Sequence, residues 1–202
     1  MPYPDRFYPV VDSVAWIARL TKLGVGTIQL RAKNLDDAAA LAIVREALVV
    51  TKGTQTKLVV NDYWRAAIDA GAQHLHLGQE DLDTADVHAI RRAGLTLGIS
   101  THDEDELDNA LAYKPDYIAL GPIYETTLKK MRFAPQGIER ITAWKLLIGD
   151  TPLVAIGGIK LEQAESIFNA GANSIAVVSD VTQNPDPDAR VRAWLDATAG
   201  IA

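Results

Sequence analysis

Two aspartates each follow an apolar run, Asp62 after "LVVN" and Asp81 after "HLHLGQE". A little earlier, Gln29, Arg31 and Lys33 stand at every second position of "QLRAK". Alternate residues on extended backbone share a face, so an amide, a guanidinium and an ammonium point the same way. Arginine makes forked bonds to phosphate oxygens and lysine supplies a point charge. Two carboxylates from neighbouring strands suit either an acid–base pair or magnesium, which takes one or two carboxylates and fills its other positions with water and phosphate. Basic groups beside the acids favour the metal–phosphate reading. The competing readings are a solvated strand end for Gln29, Arg31 and Lys33, and helix capping for the two aspartates.

Further anion chemistry lies towards the carboxyl end. Gly157-Gly158 precedes a helical pattern and can expose backbone N–H groups, as can Val178-Ser179-Asp180. A tight turn that needs glycine is the plainer alternative. The polar loop "YETTLKKMRF" offers Lys129 or Lys130 to a ligand, with an exposed loop as its rival. His74 and His76 share a strand face. Hydrogen bonding within the structure is expected of them, since no third zinc ligand is apparent.

These groups need a scaffold that brings strand ends together. Short apolar runs at 6–11, 27–30, 58–61, 74–77, 96–100, 117–120, 153–156 and 174–178 suit parallel strands buried on both faces. Amphipathic stretches at 13–24, 35–53, 83–94, 101–113, 160–172 and 186–199 alternate with them. Ser13 is a candidate N-cap, and several stretches close on glycine. The four tryptophans at 16, 64, 144 and 194 fall in helical stretches and are expected to anchor the core. Eight strands alternating with helices predict an α/β fold, one compact (β/α)8 TIM barrel over 1–202, with chemistry at the carboxyl ends of the strands. The rival open doubly wound sheet lacks its GxGxxG signature after the first strand.

Composition sets the outer limits. The chain has 202 residues, 48% hydrophobic and 23% charged, enough for a sizeable core. The absence of cysteine removes disulfides, thiolate metal sites and a cysteine nucleophile. A net charge of −6 argues against nucleic acid as the main partner. No apolar run is long enough to span a bilayer, and the N-terminus does not resemble a signal peptide. A soluble cytoplasmic protein is expected, and homo-oligomerisation is left open.

Taken together, "YPVVDS", "QLRAK", "NDYWRAAI", "HLGQEDL", "LGISTH", "ALGPIYET", "APQG", "AIGGI" and "IAVVSDVT" resemble the thiamine phosphate synthase family, in the family's order and up to about Thr182. The resemblance implies an enzyme that joins hydroxymethylpyrimidine diphosphate to thiazole phosphate, giving thiamine phosphate and pyrophosphate with magnesium as cofactor. It implies that Gln29, Arg31, Lys33, Asn61, Ser100 and Lys129 hold the pyrimidine diphosphate. It implies likewise that Asp62 and Asp81 bind the metal and that Thr126, Thr127, Gly158, Val178 and Ser179 hold the thiazole phosphate. Arg31, Lys33, Lys129 and Ser100 are the implied catalytic groups. One segment departs from the pattern: the family commonly reads Pro-Thr-x-Thr-Lys where this chain has Glu125-Thr126-Thr127-Leu128-Lys129, so Leu128 offers phosphate only its backbone. Three other classes stay open on the residues alone: a tautomerase or binding protein for thiazole phosphate, an aldolase-like barrel with a Schiff base on Lys33 or Lys129, and a noncatalytic phosphate-binding module.

Overall fold

Eight short strands pair in parallel, each with the next, and the last returns to the first to close a barrel in the computed structural model. The structure describes residues 3–126 and 133–199. The strands are β1 (Phe7–Val11), β2 (Thr27–Leu30), β3 (Lys57–Asn61), β4 (His74–Leu77), β5 (Thr96–Thr101), β6 (Tyr117–Leu120), β7 (Leu153–Ile156) and β8 (Ser174–Val177). Four coincide with the runs read from the sequence, and the others differ by one residue at an end. Closure satisfies the outer edges of β1 and β8, where Tyr8 lies opposite Ala176.

Around the barrel run α1 (Val14–Lys22), α2 (Asp37–Thr51), α3 (Trp64–Ala70), α4 (Gln79–Leu82), α5 (Val87–Arg92), α6 (Glu104–Ala112), α7 (Gly137–Ile148), α8 (Ala164–Asn169), α9 (Ser179–Thr182) and α10 (Pro187–Ala199). A 3-10 turn at Leu161–Gln163 leads into α8. Short polar side chains start several helices by accepting an orphan N–H. Ser13 accepts from Trp16 N, Asp36 from Ala39 N, Asp86 from Ala89 N and Asp103 from Glu106 N.

Alternation along the strands separates two cores. Outward-facing Ile28, Leu75, Leu97 and Ile118 pack against the helices. Inward-facing Tyr8, Val10, Val59, Tyr117, Ala119, Val154 and Ala176 fill the barrel. Trp144 and Trp194 are fully buried in the outer layer. Truncating either to alanine should cost on the order of 3–5 kcal/mol. Trp16 and Trp64 correct the expectation that all four tryptophans are core anchors. Both are only partly buried, and Arg19 and Arg65 lie over their rings. At the amino-terminal end of the barrel Tyr3 stacks on His74, and Asp5 accepts from Lys57 Nζ and Thr27 Oγ1. That end is closed, which leaves the carboxyl ends of the strands as the mouth.

Candidate active site

Asp62 is the first residue beyond β3, and its backbone holds a left-handed φ of 65°. Aspartate tolerates that region better than most residues. Its N–H donates to His76 O at 2.9 Å, and Trp64 N donates back to Asp62 O at 2.7 Å. This tight turn aims the carboxylate across the mouth, where Lys33 Nζ pairs with it. Helix capping does not explain Asp62: Tyr63 occupies the N-cap position of α3 and makes no side-chain cap.

Asp81 sits one strand further on, in the first turn of α4. Its Oδ2 accepts from Gly78 N at 3.1 Å, so this aspartate does cap a helix. Partial burial and the neighbouring Asp62 carboxylate push its pKa up to about 6. The two acids and Lys33 therefore share one electrostatic neighbourhood. Among the described residues no group of three or more His, Asp or Glu side chains is gathered as a metal site.

Arg31 continues the pairing of β2, its N–H donating to Val11 O at 2.7 Å. Its charge and that of Lys33 reach His76, whose pKa falls to about 4 through burial and then these cations, with Asp62 opposing. Asn61 is buried at the end of β3, and its carboxamide nitrogen has no hydrogen-bond partner among the described residues. A buried donor without a partner costs about 1–3 kcal/mol, which a ligand acceptor would recover.

Beneath these groups the barrel interior is polar. Gln29 Nε2 donates to Tyr8 OH at 2.8 Å, Tyr8 OH lies 2.9 Å from Tyr117 OH, and Tyr117 OH lies 2.8 Å from His76 Nδ1. His76 Nε2 is 2.8 Å from Ser100 Oγ. Gln79 braces the same strand end by donating to Ser100 O at 2.7 Å, and it accepts from Asn109 of α6 at 2.8 Å. The two histidines behave as expected: His74 Nδ1 meets Thr96 Oγ1 at 2.8 Å, and His76 joins the interior chain. Sequence reading passed over Tyr8 and Tyr117. The available signal was a polar tip at an inward position of an otherwise apolar strand.

On the far side of the mouth the backbone dominates. Gly157 and Gly158 hold φ of 99° and 68°. A Cβ on Gly158 would overlap the carbonyl oxygen of Glu125, so only glycine fits there. A small cavity is lined by Thr126, Gly157, Gly158, Val178 and Ser179. Asp180 ties this region down. It accepts from Leu161 N at 3.3 Å, from Trp194 Nε1 at 2.8 Å and from Arg190 Nε at 2.8 Å. Arg190 also grips exposed Glu162, whose carboxyl it holds down at about 2. Thr127, Leu128, Lys129 and Lys130 lie outside the described residues.

Residues 7–181 match the family described as thiamine monophosphate synthase. A curated thiamine-phosphate synthase of Rhizobium etli is 53% identical over 96% of this chain and 96% of its own length. One of Cronobacter sakazakii is 52% identical over 92% of this chain and 89% of its own. Among solved structures, the thiamine phosphate pyrophosphorylase of Pyrococcus furiosus superposes with a TM-score of 0.82 at 23% identity, covering 96% of this chain and 95% of that one. A 3-hexulose-6-phosphate synthase reaches a TM-score of 0.72 at 14% identity over 95% of this chain and 99% of that one, a likeness of fold alone.

Proposed function

The chain belongs to the thiamine monophosphate synthase family of transferases, and on that premise we propose how its mouth joins hydroxymethylpyrimidine diphosphate to thiazole phosphate. The observation that carries the assignment of roles is the meeting of Asp62, Asp81 and Lys33 beyond the ends of β3 and β4.

In this reading the pyrimidine diphosphate lies over β2 to β5. Gln29, Asn61 and Ser100 hold the ring end, and Arg31, Lys33 and Lys129 hold the diphosphate. The unpartnered amide nitrogen of Asn61 supports a ligand acceptor at that point. Asp62 and Asp81 would hold magnesium. The donor set fits: both ligands are hard oxygen donors, they lie close enough for one to raise the other's pKa, and phosphate and water complete such a site. The bound ion supplies positive charge to the diphosphate as it leaves.

Departure of pyrophosphate from the ring CH2 leaves a carbocation that the electron-rich aminopyrimidine stabilises. The thiazole nitrogen then attacks that carbon. It carries no proton, so the step needs no general base. Most of the developing negative charge falls on the leaving group, where Arg31 and Lys33, joined by Lys129 on the family's pattern, lower the barrier. The thiazole phosphate rests on the backbone at Gly158 and Val178-Ser179, with Thr126 beside it; the family's pattern adds Thr127 and the main chain of Leu128, which lie outside the described residues. The substrates are small molecules, and we assign the protein to the cytoplasm from its composition. Among the described residues no helix is long and apolar enough to cross a membrane.

The test is incubation with both substrates and magnesium. Thiamine phosphate and pyrophosphate should appear in equal amounts. Pyrophosphate release without thiamine phosphate, or no turnover, would overturn the assignment.

A further inference from the structure

The interior chain from Gln29 to Ser100 has no part in the steps above beyond its two ends. Packing alone does not call for it, since Val10, Val59, Val154 and Ala176 fill the rest of the interior with apolar groups. Burying polar groups costs free energy unless every hydrogen bond is made. The chain is nonetheless built in: a Cβ at Gly98 would overlap the ring of Tyr117, so the glycine of β5 makes room for that tyrosine.

With Gln29 Nε2 as the donor to Tyr8, one order of hydrogens uses every buried donor, whereas the opposite order leaves the buried Tyr8 proton without an acceptor among the described residues. The Gln29 amide nitrogen donates, so the Tyr8 oxygen accepts and its single proton goes to Tyr117. The Tyr117 proton then goes to His76 Nδ1. A neutral imidazole accepting at Nδ1 carries its hydrogen on Nε2, which donates to Ser100 Oγ. The Ser100 hydroxyl keeps its own hydrogen, with no acceptor among the described residues, at the partly exposed end of β5. At the other end, Gln29 Oε1 has no donor among the described residues.

We propose that Tyr8, Tyr117 and His76 are positioning residues whose one-way chain presents the Ser100 hydroxyl as a donor and Gln29 Oε1 as an acceptor to the substrate ring. An aminopyrimidine offers the complement, ring-nitrogen acceptors and an exocyclic amino donor. The reverse order would present an acceptor at Ser100 and a donor at Gln29, and the ring would meet like groups. This inference rests on the proposed function for the identity of the ring, while the order of hydrogens stands on the chain itself.

The experiment begins with ligand-free wild-type protein. Long-range 1H–15N NMR on labelled histidine, with four histidines to assign, should show His76 neutral near pH 7, with the proton on Nε2 and Nδ1 accepting. Tyr117→Phe should spread that proton over both nitrogens. It should raise KM for the pyrimidine diphosphate by about two- to tenfold, the worth of one hydrogen bond, and leave KM for thiazole phosphate unchanged. His76→Gln, whose amide can reach Ser100, should retain more pyrimidine affinity than His76→Asn. A proton on Nδ1 or a charged ring in the wild type overturns the proposal, as does an equal rise in both KM values. A failure of the functional reading shows itself separately, as no thiamine phosphate from wild-type enzyme.

Discussion

Around β2 to β5 the mouth is made of side chains: Lys33 against Asp62, Asp81 beside them, and a polar chain beneath. Around β7 and β8 it is made of backbone: two glycines at positive φ, and the turn at Val178-Ser179 fixed from behind by Asp180 and Arg190. In the proposed reaction the two regions hold different kinds of anion. A leaving diphosphate gains charge as the bond breaks, and full charges aimed at it act most strongly at that moment. A phosphate that serves as a handle keeps its charge throughout, so neutral N–H dipoles suffice and add no charge to the site.

The largest effect that would break this contrast is on the side-chain half. Arg31→Met keeps bulk and removes the fork, and Lys33→Met removes the partner of Asp62. Each should lower kcat/KM by about 2–4 kcal/mol, read by steady-state kinetics with unchanged thermal stability. A stability loss with unchanged kinetics would make them ordinary strand-end charges. Gly158→Ala acts on the backbone half, forcing a Cβ into the carbonyl of Glu125 at a left-handed φ. It should raise KM for thiazole phosphate and cost about 1–3 kcal/mol in denaturant unfolding, while KM for the pyrimidine diphosphate stays put.

A smaller effect follows from the interior histidines. Burial lowers both His74 and His76 to about 4, with Lys57 assisting at His74. The unfolded chain protonates near 6.5 while the folded chain does not, so stability is full above that pH and declines as pH falls from 6.5 towards 4. For fully buried His76 the limit is about 3 kcal/mol, at roughly 1.4 kcal/mol per pH unit. Asp81 runs the other way: its raised pKa stabilises the fold at low pH, and that contribution is lost as pH rises through about 6. Asp81 is partly exposed and single, so the two histidines set the net sign. Urea titrations at pH 7 and 5 should show lower stability at 5, and His74→Asn should flatten part of the difference.

Much of this was legible in the sequence because it is local. Apolar runs mark every strand to within a residue, and polar residues just past them mark the mouth. What escaped is too short, too interrupted or too distant to leave a pattern. Helices α4 and α9 have four residues each, less than any period requires. Helix α7 follows a polar loop, and its amphipathic signal is interrupted by exposed Leu146 and Leu147. The link from Tyr8 to Tyr117 spans 109 positions, and no spacing rule connects two tyrosines that meet only because the barrel closes. The left-handed turn that aims Asp62 at Lys33 is likewise invisible in residue types, although an Asn-Asp pair after a strand is compatible with it.

The central claim is that Asp62 and Asp81 act together on the leaving diphosphate, and a magnesium titration tests it most directly. Pyrophosphate release and thiamine phosphate formation are followed for wild type, Asp62→Ala and Asp81→Ala, with folding checked by circular dichroism. The account predicts a wild type that needs magnesium and is silenced by EDTA, and two folded variants that lose nearly all turnover at every magnesium concentration. Full activity of folded Asp81→Ala in the presence of EDTA would contradict it.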